Sequence, residues 1–137
     1  MPIIDAHAHI YPDKIAARAV AAVGKFYCYD DMYGCGTPDD LLSACKTSPI
    51  THFIVHSAAT TARSVPAINS FIAEQCAEHP EFIGFGTMHP DFADMESEVQ
   101  RAQANEDCLS VAQAPDRRER GVSCYSRKCR KDASCPS

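Results

Sequence analysis

The residues best suited to chemistry are His7 and His9, which stand one residue apart at the end of the first apolar run of the chain. Alternate side chains of a β-strand point to the same face, so the two imidazoles should lie side by side, with Asp5 on that face as well. Imidazole nitrogens are favoured ligands of zinc and related divalent ions. We therefore predict that His7 and His9 bind a metal ion and that the Asp5 carboxylate orients one of their rings.

Two further histidines are predicted to lie at the same edge of the fold. His56 ends the second predicted strand, and His89 follows the third. The carboxyl ends of parallel strands meet at one edge of an α/β sheet, and ligands bind there. His56 and His89 are therefore predicted to contact a substrate or to add metal ligands. His52 begins its strand and is expected at the opposite edge.

The elements that must position these histidines alternate between strand and helix over residues 1–102. Segments rich in β-branched and aromatic residues predict three strands, at residues 2–9, 51–57 and 82–88. Four helices are predicted from capping signals and apolar periodicity, at residues 14–23, 37–45, 61–79 and 94–102. Asp13 is the predicted N-cap of the first helix and Gly24 its stop, while Thr37 is the predicted N-cap of the second. Strands joined by helices predict an α/β fold with a parallel sheet.

The composition changes at about residue 103. Residues 103–137 hold four of the eight cysteines and carry a net charge of +2, whereas residues 1–102 carry −7. Few apolar residues remain to offset the entropy of ordering, so residues 103–137 are predicted to form a disordered Cys- and Arg-rich tail. A zinc site built from Cys124, Cys129 and Cys135 is the weaker alternative, because spacings of five and six residues suit a structural zinc site poorly.

Composition also excludes several classes of protein. A net charge of −5 argues against nucleic-acid binding, and no segment has the ~20 apolar residues of a membrane span. The N-terminus lacks the basic and apolar regions of a secretion signal, so a cytoplasmic location and free thiols are expected.

Four segments of residues 1–102 carry a resemblance to a known family. Residues 3–15, with His7 and His9 in an HxH motif, look like the opening of the amidohydrolase superfamily, in its amidohydrolase-related (type 2) branch. The segments 68–73 and 82–91, together with the strand that ends at His56, are similar to that branch as well. The resemblance implies a (β/α)8 barrel whose mouth holds one or two divalent metals, usually zinc, with His7 and His9 among the ligands.

The resemblance also implies that this chain holds the first three β/α units of such a barrel. A complete barrel needs at least ~200 residues, and the remaining ligands and the catalytic base of the family belong to later strands. The chain is therefore interpreted as a truncated member whose tail resembles the product of a frameshift, and no catalytic residue is identified in it. An incomplete sheet leaves an unpaired edge, through which self-association is expected.

The functional prediction is a metal-dependent hydrolase acting on an amide, ester or lactone bond of a small molecule, with weak or no activity in this chain. Two alternatives stay open at this point. One is a non-catalytic fragment that binds a metal or a partner, and the other is a metal-dependent decarboxylase of the same family.

Overall fold

The structure, a computed structural model, describes residues 1–29, 31–104 and 108–112. Its four strands are β1 (Ile4–His9), β2 (His52–His56), β3 (Phe82–Thr87) and β4 (Cys108–Ala112). Its four α-helices are α1 (Asp13–Tyr27), α2 (Pro38–Ala44), α3 (Val65–Glu78) and α4 (Met95–Gln103). Single 3-10 turns at Cys45–Thr47 and Ala62–Ser64 follow α2 and precede α3.

The strands form one sheet in the order β1-β2-β3-β4, and every neighbouring pair is parallel. This confirms the mixed α/β class and the parallel sheet. The structure has one strand more than the three predicted. This strand, β4, lies in the range assigned to the tail, and it pairs with β3 from Gly84↔Cys108 to Thr87↔Ala112. Hydrogen bonding to a neighbouring strand can order a segment whose own composition gives a weak signal. The prediction of disorder for residues 113–137 lies outside the described residues.

Two of the three predicted helix-end signals are wrong in detail, and both belong to α1. Asp13 is the first helical residue, and Pro12 occupies the N-cap position without a side-chain hydrogen bond. The helix also passes Gly24 and ends at Tyr27, followed by the C-cap residue Cys28, whose φ of 54° is left-handed. A Cβ at Gly24 would lie 2.8 Å from Cγ of Met32, so this glycine allows the following loop to approach the helix closely. The lack of a side chain at Gly24 therefore allows the loop to pack closely and does not end the helix.

The predicted cap of α2 is confirmed. The Oγ1 atom of Thr37 accepts a hydrogen bond from the backbone N–H of Asp40 at 3.2 Å, and Pro38 occupies the first helical position. Asp94 caps α4 in the same way by accepting from the N–H of Ser97 at 3.3 Å. In the part of the chain that the structure describes, no helix is both long and apolar enough to cross a membrane.

The core lies between one face of the sheet and helix α3. Strand residues Ala8, Phe53, Val55 and Phe82 pack there with Ile72 and Cys76 of the helix. The rings of Phe53 and Phe82 meet edge to face with their centroids 6.1 Å apart. Burial alternates along β2, where Phe53 and Val55 are buried and His52, Ile54 and His56 are half-buried. The histidine at the end of β2 therefore projects from the face opposite this core.

Candidate metal centre

Three histidines converge at the carboxyl ends of β1 and β2. One ring nitrogen from each of His7, His9 and His56 lies within 4.8 Å of the other two. The Nε2 atoms of His7 and His9 are 3.1 Å apart, and Nε2 of His56 is 3.2 Å from Nδ1 of His7. Nitrogens bound to one tetrahedral zinc at ~2.0–2.1 Å lie about 3.3 Å from each other. These two short contacts use different nitrogens of His7, whereas an ion binds one nitrogen of each ring. The set of one nitrogen per ring lies within 4.8 Å, and it must contract towards about 3.3 Å to hold a tetrahedral ion.

The register of the two strands explains why His56 joins this cluster. His9 and His56 are direct partners in the parallel pairing of β1 with β2. Side chains at paired positions project to the same face, and the imidazole centroids of His9 and His56 are 4.3 Å apart. His7 meets both rings at steep angles, with centroids 4.9 Å from His9 and 4.3 Å from His56. The prediction that His7 and His9 lie side by side agrees with this geometry.

One hydrogen bond of the cluster fixes which nitrogen of His9 carries the lone pair. Nδ1 of His9 lies 3.2 Å from the carbonyl oxygen of His56, which can accept a hydrogen bond but cannot donate one. His9 is therefore protonated on Nδ1 in its neutral form, and its Nε2 carries the lone pair, which can accept a hydrogen bond from Nε2 of His7 or bind a cation. A backbone carbonyl that fixes the second ring nitrogen is the usual support of a metal-binding histidine.

The electrostatic environment keeps two of the rings neutral. Burial and then the adjacent His7 lower the pKa of His9 below its ordinary value. Burial, followed by His9 and then His7, lowers the pKa of His56 to about 4. Metals bind the neutral form of imidazole, so at neutral pH no proton needs to leave His56 before an ion binds.

The expected place of Asp5 beside the imidazoles is wrong. The register pairs Asp5 with Phe53 and Ala8 with Val55, so β1 contains one residue more than β2 between these positions. This β-bulge reverses the alternation, and Asp5 projects to the face of Phe53 rather than to that of His9. Its Oδ1 accepts a hydrogen bond from the backbone N–H of His7 at 3.0 Å. Asp5 therefore contacts the main chain of a cluster residue and not an imidazole.

His89 does not belong to the cluster. Among the described residues, the grouping of possible ligands holds His7, His9 and His56. Nδ1 of His89 instead accepts a hydrogen bond from the backbone N–H of Asp91 at 3.1 Å, in the turn after β3. His52 lies at the opposite end of β2, as expected, with its Nδ1 2.9 Å from the hydroxyl of Thr51. His56 and His89 are predicted at this edge in addition to His7 and His9, and of His56 and His89 the structure brings His56 to the site.

Sequence reasoning missed Tyr11 as a neighbour of the cluster. Its ring is parallel to that of His9, with 4° between the planes and 6.3 Å between centroids. Burial first, and then Tyr27, raise the pKa of the Tyr11 phenol. The N–H of Tyr11 donates to the carbonyl of Gly36 at 2.8 Å, which connects the loop before α2 to the site. The spacing of two residues from His9 is the signal that could have identified it.

A buried polar network, also missed, fixes the end of β3. Asn69 of α3 accepts from the N–H of Thr87 at 2.6 Å and donates to its carbonyl at 3.1 Å. The same amide donates to Glu98 of α4 at 2.7 Å, and Glu98 forms an ion pair with Arg101. The hydrogen bond from Arg101, more than any other contact, lowers the pKa of Glu98. Because the partners come from three separate elements, no local sequence pattern predicts this network.

Comparison with known proteins adds no relative to this picture: no family model matches the chain, and no curated protein matches it either.

Proposed function

We propose that the chain binds one divalent metal ion, zinc by its ligand chemistry, through His7, His9 and His56. The observation that carries this proposal is the convergence of one nitrogen from each ring within 4.8 Å. Two protein strands supply these nitrogens, and their rings are held by packing and by the His56 carbonyl. Nitrogen-only ligand sets of three histidines suit zinc and leave a fourth position for water.

The reaction that we propose for this site is hydrolysis of an amide, ester or lactone bond in a small molecule. The HxH motif and its resemblance to the amidohydrolase-related branch support this reaction class. Four parallel strands with α3 packed on one face are compatible with part of a (β/α)8 barrel, which we retain as the proposed architecture. A bound zinc ion would supply a water molecule of lowered pKa.

The activity of this chain is proposed to be weak, because the cluster lacks a proton acceptor. Within the described residues no carboxylate joins the three imidazoles. Asp5 is nearest in sequence, but its Oδ1 is engaged with a backbone N–H. A general base must lie within hydrogen-bond reach of the water that it deprotonates, and commonly contributes 10²–10⁴-fold to the rate. This observation favours metal binding without efficient catalysis as the second candidate function.

Metal titration tests the proposed ligands. The chain is titrated with Zn²⁺ by calorimetry and with Co²⁺ by visible spectroscopy, beside the variants His7→Ala, His9→Ala and His56→Ala. Each variant is expected to bind about 100-fold more weakly or worse, because outer partners of metal ligands already contribute 10–100-fold. His52→Ala, which removes a histidine from the other end of β2, is the matched control and should bind as the wild type. Equal affinity of His56→Ala and His52→Ala would refute the three-histidine site.

Hydrolysis of an activated ester tests the proposed reaction. The zinc-loaded chain should hydrolyse 4-nitrophenyl acetate slowly, and the rate should rise with the concentration of a buffer base that takes the missing role. The His7→Ala/His9→Ala double variant is the control. Rapid hydrolysis whose rate does not depend on the buffer concentration would contradict the proposal that the site lacks a general base. A rate equal to that of free zinc would refute hydrolysis and leave metal binding as the proposed function.

A further inference from the structure

The β-bulge in β1 places two residues, Ala6 and His7, opposite Ile54 alone. Bulges re-aim side chains and are enriched beside active sites. Here the bulge lies directly before the strand positions that pair Ala8 with Val55 and His9 with His56. The direction of the His7 side chain therefore depends on how the main chain is held at the bulge.

The Asp5 side chain holds that main chain. Its Oδ1 accepts the N–H of His7, two residues ahead, at 3.0 Å. A contact from an Asp side chain to the N–H two residues later is an Asx turn, which competes with regular strand pairing. The His7 side chain itself is exposed, whereas those of His9 and His56 are half-buried. His7 thus has less packing than the other two rings to fix its position.

We propose that Asp5 is a positioning residue for the metal centre, which acts through the backbone of His7 rather than through any imidazole. The inference rests on the proposed metal site and adds a specific role to it. The Asx turn stabilises the bulge, and the bulge directs the ring of His7 towards His9 and His56. Loss of the Asp5 acceptor lets β1 return to regular pairing or move freely, and the three-nitrogen cluster then loses its exposed member.

Three substitutions at position 5 separate this role from charge and from bulk. Asp5→Asn keeps an oxygen acceptor at the same distance from the backbone, and Asp5→Glu keeps the charge but moves the oxygens by one methylene. Asp5→Ala removes the acceptor. Asp94→Ala is the matched control, since Asp94 also accepts a backbone N–H, three residues ahead, but lies at the start of α4, away from the cluster.

The first readout uses the metal-free chain. Amide hydrogen exchange at His7 and the NOE between the His7 and His9 rings are measured by NMR. Exchange should accelerate and the NOE should weaken in Asp5→Ala and Asp5→Glu, while Asp5→Asn and Asp94→Ala should resemble the wild type. Unchanged exchange and NOE in both Asp5→Ala and Asp5→Glu would overturn the inference even if the site binds no metal, so its failure is distinct from failure of the proposed function.

The second readout is the metal complex. Affinity for Co²⁺ should fall about tenfold in Asp5→Ala and Asp5→Glu, with a visible spectrum changed towards fewer nitrogen ligands, and Asp5→Asn should restore both. If Asp5→Ala does not fold, Asp5→Glu against Asp5→Asn makes the same comparison. The positioning role would be overturned if Asp5→Glu bound Co²⁺ as tightly as the wild type. It would also be overturned if Asp94→Ala lost as much affinity for Co²⁺ as Asp5→Ala.

Discussion

The three imidazoles of the candidate metal centre contact one another and a backbone carbonyl. One contact is fixed in direction, because the carbonyl of His56 must accept the proton on Nδ1 of His9. The other two contacts, His9 with His7 and His7 with His56, can then form a chain in which each neutral ring donates once. A metal ion would replace the contacts between rings and leave the one to the carbonyl. The same three rings that would bind an ion are thus held together by hydrogen bonds in the metal-free protein.

The lowered pKa of His56 predicts how acid affects the metal-free protein. The unfolded chain binds a proton at His56 as the pH falls below about 6.5, whereas the folded chain binds it only near pH 4. The contribution to stability is therefore full above pH 6.5 and is lost between these values. His56 is half-buried and screened by solvent, so we expect a loss of about 1 kcal/mol in the free energy of unfolding.

Urea denaturation at about pH 7 and about pH 5 measures this loss. The difference in the free energy of unfolding between the two pH values should be smaller in His56→Ala than in the wild type and unchanged in His52→Ala. An undiminished difference in His56→Ala would show that another group is responsible.

At the scale of the elements, two local features set the positions of the strand ends. In β1 it is the bulge between Asp5 and Ala8, which separates the face of Asp5 from that of His9. In β3 it is Asn69, which binds both the N–H and the carbonyl of Thr87. Asn69 and Thr87 are 3% and 4% exposed, so neither group has water as an alternative partner. Buried amides without partners are costly, and the network therefore aligns α3 and α4 with the sheet.

Asn69→Ala is predicted to destabilise the fold by about 2–3 kcal/mol, because it removes the side-chain partner of two backbone groups of Thr87 and one of the two partners of the Glu98 carboxylate. Gln75→Ala is the control, since Gln75 on the same helix makes an exposed contact to Glu78. Its effect should stay within about 0.5 kcal/mol. The free energies come from urea unfolding followed by circular dichroism, and similar losses in the two variants would contradict a special role for Asn69.

At the scale of the molecule, β1 is an edge strand of the described sheet and carries the candidate site. Ile3, which precedes the strand, and Ile4, its first residue, are 47% and 48% exposed. An edge with apolar side chains and unpaired backbone groups can add a strand from a second copy. The bulge disturbs regular pairing near His7, so the start of β1 is the part of the edge that is open to such an addition.

Self-association through this edge is therefore predicted at high protein concentration. Sedimentation velocity over a range of concentrations should show a monomer that converts to a larger species, and Ile4→Lys should keep the monomer. Ile15→Lys, which adds the same charge at a 42% exposed position on α1, is the control and should associate as the wild type. Association that persists in Ile4→Lys would place the contact elsewhere.

Much of the fold follows from local signals that are visible in the sequence. The β-branched and aromatic segments that contain Phe53 and Phe85 predict β2 and β3, and Thr37 with Pro38 predicts the start of α2. Signals that depend on one residue are less reliable. Gly24 suggests a helix end, yet it lies within α1 because a loop needs the space that its missing side chain leaves.

The sequence by itself determined that His7 and His9 share a strand and a face, because their spacing of two residues matches the period of a β-strand. It also placed His56 and His89 at the ends of strands, but it could not choose between them. Tertiary structure made that choice through the register that pairs His9 with His56. The tertiary structure also placed Asp5 on the face opposite to that of His9, because β1 contains one extra residue between Asp5 and Ala8. Both outcomes depend on backbone pairing between segments about 47 residues apart in the chain, and no local pattern of residue types encodes that register.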